Sequence, residues 1–194
     1  MITELLRKTT HLAGFFLPLL YIVLERPTML FIVGCLAGIA VIVEFLKWVS
    51  VRFREIFFRV FKSILRTHEQ KGAITGATYY IVSILLCIFF FEKPIAIVCI
   101  FFIILGDTAA ALVGRRWGRT KLIGNKSLEG SAACFIVCTA ITLLWIKQLN
   151  PVIGIIGAFV ATLVELLPLR IDDNLTVPLI SGAVMQLMIK YLLL

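Results

Sequence analysis

Apolar runs of a length suited to crossing a membrane follow one another along nearly the whole chain. A helix needs ~20 apolar residues to traverse ~30 Å of hydrocarbon. Seven runs of roughly this kind occur, at 5–24, 28–47, 73–91, 94–113, 130–146, 152–167 and 175–194. With 61% hydrophobic and 15% charged residues and a mean hydropathy of +1.06, a soluble domain of 194 residues is excluded. The expected fold is an all-α integral membrane protein with about seven transmembrane helices, forming a single catalytic domain over residues 1–194. The first run has no small-residue cleavage site after it, so it reads as a retained span.

Between runs, ERPT at 25–28 and EKP at 92–94 read as tight turns, because proline starts a helix well and continues one badly. The segment 47–71 differs. Arg52, Arg54, Arg59, Lys62 and Arg66 alternate there with aromatic and aliphatic residues, as in a basic amphipathic helix lying on anionic membrane lipids between spans 2 and 3. That broad apolar face argues against a nucleic-acid patch. The five cysteines, Cys35, Cys87, Cys99, Cys134 and Cys138, all fall inside apolar runs and read as packing residues. Cations retained on the cytoplasmic side set the orientation. With the N-terminus inside, fifteen of nineteen basic residues share one side, leaving Arg26, Lys93, Lys147 and Lys190 on the other.

This topology gathers the unusual polar residues on the cytoplasmic leaflet. Arg7, Lys8 and His11 open the first span, Thr75 and Thr78 the third, and Asp107 with Thr108 falls in the last turns of the fourth. Glu165, Asp172, Asp173 and Asn174 occupy the junction of the sixth and seventh. An acid at a helix centre in a membrane costs about 2.5–3.5 kcal/mol and is normally kept for function. Asp107, Asp172 and Asp173 offer hard oxygens suited to Mg²⁺, which takes one or two carboxylates with water and phosphate. In the stretch 106–131, read as a loop, Arg115, Arg116, Arg119, Lys121 and Lys126 are matching partners for a polyphosphate. Gly114, Gly118, Gly124 and Gly130 would let its backbone approach phosphate oxygens. It is not a P-loop, because five residues separate Gly118 from Gly124 and Asn125 precedes Lys126.

The motifs GDTAAALVGRRWGRTK, NKSLEGSAA and VELLPLRIDDNLTVPLISG, with RKTTH and TGATYY, resemble those of the polyprenol kinase family, which includes dolichol, phytol and CTP-dependent diacylglycerol kinases. The resemblance runs from Arg7 to Gly182. It implies γ-phosphoryl transfer from CTP, or another nucleoside triphosphate, to the hydroxyl of a lipid alcohol at the cytoplasmic face, and the expected location is a bacterial or archaeal plasma membrane. It also implies a nucleotide region over 106–131 that includes Gly118, Asn125, Ser127, Glu129 and Ser131, with Asp173 and Asn174 matching its D-N-L element. The expected roles are Asp107 as proton acceptor, Lys126 with the arginines as phosphate partners, and Asp173 with Asp107 or Asp172 as Mg²⁺ ligands. A related cytidylyltransferase, acting on phosphatidate, is the nearest alternative, and a small transporter is a rival of another class. The sequence names neither the lipid nor the oligomeric state, and a homo-oligomer stays open.

Overall fold

The computed structural model describes residues 14–66, 69–145, 147–169 and 171–192. Arg7, Lys8, His11 and Arg170 lie outside the described residues. Helix α1, Phe16–Val23, is followed by α2, Arg26–Val49. Pro27 sits in the first turn of α2, where its missing N–H costs nothing. Ser50 then starts α3, Val51–Phe61, its Oγ accepting from Phe53 N at 3.2 Å. A 3₁₀ turn, Glu69–Lys71, leads to α4, Gly76–Phe90, which Thr75 caps.

The next helix is continuous from Lys93 to Arg116. It comprises α5, Lys93–Phe101, one π-helical turn, Phe102–Gly106, and α6, Asp107–Arg116. A two-stranded antiparallel hairpin follows, β1 Lys121–Ile123 and β2 Lys126–Ser127, with Lys121 opposite Ser127 and Ile123 opposite Lys126. Helices α7, Leu128–Leu144, α8, Pro151–Leu166, and α9, Asp173–Leu192, complete the chain.

The Lys93–Arg116 helix is the axis of the bundle. Its residues Ile95 to Ile104 are all buried. Helix α9 packs against α4, α5 and α8, while α7 packs against α6, the π turn and α8. Helix α2 lies outside this group against α4 and presents Phe31, Ile39, Ile42, Phe45 and Trp48 outward. An outward apolar face of this extent is what lipid contact selects and water penalises. Arg26–Val49 and Lys93–Arg116 are each long and apolar enough to cross a membrane. Helices α4, α7 and α8, of 15, 17 and 16 residues, reach only ~23–26 Å at 1.5 Å per residue, short of the span expected of them.

Three expectations need correction. The stretch 106–131 is mostly not a loop, because the alanine-rich DTAAALVGRR continues the helix to Arg116 and LEGS already belongs to α7. Asp107 therefore lies nine residues before the end of a long helix, farther inside than the run 94–113 places it. The segment 47–71 is no single amphipathic helix either. Lys47 is 3% exposed within α2 and pairs with Glu44 at 2.6 Å, and the basic helix is confined to Val51–Phe61. Finally, Gly124 alone of the four glycines named above has positive φ, +56°, at the hairpin tip. Gly114 and Gly130 instead let α6 and α7 touch: a Cβ on Gly130 would lie 2.8 Å from Ala110 O and 3.2 Å from Gly114 Cα.

That contact sets the distance between the two helices that flank the hairpin. Gly130→Val should therefore destabilise the protein by about 1–3 kcal/mol, the usual cost of overpacking. A lowered unfolding midpoint in detergent checks this. Gly34→Ala, where a Cβ meets nothing within 4 Å, should leave the midpoint unchanged or raise it.

Candidate active site

Helix α6 ends, α7 begins, α8 ends and α9 begins at the same end of the bundle, and the hairpin crosses there. A cavity of about 580 Å³ lies among them. Its charged lining consists of Arg66, Arg115, Lys121 and Lys126 together with Asp107, Glu165 and Asp173. Asn125, Ser127, Ser131, Gly114, Gly118 and Gly130 complete its polar and backbone surface. Cations at the opposite end tie adjacent turns together, Arg26 donating to the Phe89 carbonyl and Lys93 to Leu24 O at 2.9 Å.

Lys126 is the hub of the cavity. Its position in β2 carries Nζ to 3.1 Å from Glu165 Oε1, at the end of α8, and 3.3 Å from Asp173 Oδ2, at the start of α9. Asp107 is close enough to both acids to interact electrostatically with them. The strand holding Lys126 is fixed at both sides. Ser127, 2% exposed, accepts from Gly130 N at 3.2 Å and so caps α7. Glu129 accepts from Thr120 N at 3.1 Å, closing the base of the hairpin. Gly118 passes so close to the helix end that a Cβ there would meet Ser127 Oγ at 2.6 Å.

Ser131 differs from its neighbours. Its hydroxyl is buried without a hydrogen-bonding partner among the described residues and lines the cavity. An unmatched buried hydroxyl costs about 1–3 kcal/mol, which a polar ligand in the cavity would recover.

Several expected site residues serve the framework. Asp172 pairs with Arg66 at 2.6 Å and accepts from Asn174 N at 3.0 Å, so it starts α9 and does not line this cavity. Asn174, 2% exposed, donates to Gly76 O at 3.2 Å. Thr75 and Thr78 donate from their hydroxyls to Glu44 Oε1, at 2.8 and 3.0 Å, joining α4 to α2. Thr108 donates to Ile104 O at 2.6 Å, within the wide turn that precedes it. Arg116 stacks over Trp117, and neither it nor the exposed Arg119 lines the cavity.

Three further residues matter that the sequence pattern does not single out. Arg66, by pattern an interfacial cation, lines the cavity. Glu69, 4% exposed, accepts from Gly76 N at 2.7 Å and from Arg66 N at 2.5 Å. Glu44 gathers Lys47, Thr75 and Thr78. The polar run RTHEQK at 66–71 signals the first two, since it breaks the apolar alternation that precedes it.

Among the described residues no cluster of three or more His, Cys, Asp or Glu side chains is arranged to hold a metal by itself. The cavity acids are nonetheless the donors Mg²⁺ prefers, which binds through one or two carboxylates and leaves its other positions to phosphate and water. Asp107 and Asp173 line the cavity and fit that mode, whereas Asp172 does not line it and pairs with Arg66.

No protein-family model and no solved structure matches the chain. Curated proteins do. An uncharacterized protein of Rickettsia prowazekii is 29% identical over 89% of this chain and 88% of its own length. A probable chloroplastic phytol kinase of Glycine max is 34% identical over 63% of this chain, and a CTP-dependent diacylglycerol kinase of Eremothecium gossypii is 29% identical over 97%. The matches cover 47% of the soybean protein and 68% of the fungal one, so the chain spans about half the length of that phytol kinase. The chain is a homologue of the phytol kinases and CTP-dependent diacylglycerol kinases, the family its motifs resemble.

Proposed function

We propose that the protein is a membrane lipid kinase that transfers the γ-phosphoryl group of CTP to the hydroxyl of a lipid alcohol. The observation that carries this reading is the cavity itself, where four cations and three carboxylates meet at the end of an apolar bundle. Phosphoryl transfer needs this kind of surface, since its catalysis consists of positioning and of neutralising charge on the phosphate oxygens. We further take the chain as one domain of seven spans, N-terminus inside, with the cavity at the cytoplasmic face.

Lys126, Arg115 and Lys121 would bind the triphosphate, Lys126 as a point charge and Arg115 as a fork. Asn125 and Ser131 supply neutral hydrogen bonds beside them. Asp173, with Asp107, would hold Mg²⁺ on the phosphates, where the ion supplies charge neutralisation. Asp107 would accept the proton of the alcohol, while the apolar helices keep bulk water from the reacting hydroxyl. The products are a phosphorylated lipid and CDP.

Lys126 must be charged for this role. Burial works against its ammonium, but Glu165 and Asp173 outweigh that effect, so its pKa lies above the ordinary lysine value. A pKa raised in the folded state gives stability that is complete below the unfolded value of ~10.4 and is lost as pH rises through the folded value. Lys126→Met should therefore show a constant stability deficit between neutral pH and pH ~10, fading at higher pH. Thermal unfolding across that range, measured beside the wild type, checks the sign.

Asp107→Asn should lower turnover by about 10²–10⁴-fold, as loss of a general base does. Lys126→Ala should weaken CTP-dependent thermal stabilisation. Turnover is read with labelled CTP and ATP against diacylglycerol, phytol, geranylgeraniol, undecaprenol and phosphatidate, and stabilisation by thermal unfolding with and without CTP. Label from the γ position on an alcohol supports the kinase, and CMP on phosphatidate would replace it with cytidylyl transfer. Wild-type rates in Asp107→Asn would remove that residue from the chemistry.

A further inference from the structure

A second pocket, of about 290 Å³, adjoins the cavity and shares Arg66 and Asp173 with it. Asp172 completes its polar side, and the opposite side is of a different kind. Ile74, Tyr79, Leu169 and Ile171 line it, and the three aliphatic residues among them are 45%, 41% and 52% exposed. Exposed aliphatics around a concave opening suit an apolar occupant. The polar wall is preformed. Arg66 is locked to Asp172 at 2.6 Å, Asp172 accepts from Asn174 N, and Asn174 donates to Gly76 O at 3.2 Å. The segment before α4 is thereby pinned to the start of α9.

We propose that this second pocket is the port for the lipid acceptor. The part of the apolar chain next to the hydroxyl lies against Ile74, Tyr79, Leu169 and Ile171, and the hydroxyl reaches across the shared wall at Arg66 and Asp173 into the larger cavity. The occupant is a long-chain alcohol and not a second nucleotide, because the larger cavity has a triphosphate's complement of cations, whereas the one cation lining the second pocket, Arg66, is paired with Asp172 and faces Ile74, Leu169 and Ile171 across the opening. Arg66, facing both compartments, is a positioning residue at the point where donor and acceptor meet. The assignment rests on the lipid kinase reading for the identity of the larger cavity, whereas occupancy of the port can be measured without any nucleotide.

The test uses the full chain in nanodiscs with diazirine-bearing diacylglycerol and, separately, diazirine-bearing phytol. Cross-links that excess unlabelled alcohol removes should map to the segments holding Ile74, Tyr79, Leu169 and Ile171. Ile74→Trp, at a position exposed enough to accept the larger ring, should reduce that labelling about tenfold, equivalent to ~1.4 kcal/mol. It should raise the KM for the alcohol by a similar factor and leave CTP-dependent stabilisation unchanged, which also reports folding. Ile39→Trp, on the outward face of α2, should change none of these. Competed labelling located elsewhere, or undiminished in Ile74→Trp, would overturn the port. Competed labelling at the port without phosphoryl transfer would uphold the port and remove the kinase.

Discussion

One ammonium group holds the working end of this molecule together. Lys126 reaches from a short hairpin to two carboxylates on different helices, and without it Glu165 and Asp173 would face each other with Asp107 nearby. Removing one partner of a buried ion pair costs ~3–5 kcal/mol in a dry interior. The figure is smaller here because the Lys126 side chain keeps 30% exposure, but Glu165 at 9% has little water to turn to. The seated hairpin therefore offsets the repulsion between the acids at the ends of α8 and α9.

Seating the hairpin depends in turn on small residues. Gly114 and Gly130 bring α6 and α7 into backbone contact, and Gly118 lets the chain fold back beside Ser127. Ser127 then caps α7 one residue after Lys126, so the turn that starts the helix also directs the cation. The sequence marks these glycines as important without disclosing their purpose: three of the four serve close approach between protein segments, and Gly124 alone supplies a left-handed turn.

The helices are readable in the sequence because apolar runs and proline turns are local signals. The site is readable in part, because acids and cations stand out against such a background. Which of them meet is not. Lys126 and Asp173 are 47 positions apart, and no periodicity links them. Asp172 and Asp173 are identical neighbours, yet one precedes α9 and is taken by Arg66 while the other opens the helix and faces Lys126. The π turn before Asp107 is equally invisible, because FIILG carries no residue that marks a wide turn. Such turns recur at functional sites, where an extra residue re-aims the side chains that follow.

Charge balance links the metal to the cavity. Four cations and three carboxylates line it, which brings it close to neutrality before any ligand arrives. A nucleoside triphosphate would make the same volume strongly negative, and the apolar bundle behind it offers poor screening. Further arginine or lysine would offset that charge permanently and repel its neighbours between turnovers. Under the proposed reading, a divalent cation travelling with the triphosphate would offset it only when needed, with the cavity acids as its anchor. The pairing of Lys126 with two acids would serve the same end: the carboxylates are compensated by the ammonium, and in the proposed reaction phosphate oxygens would compete for it and leave the acids to hold the metal.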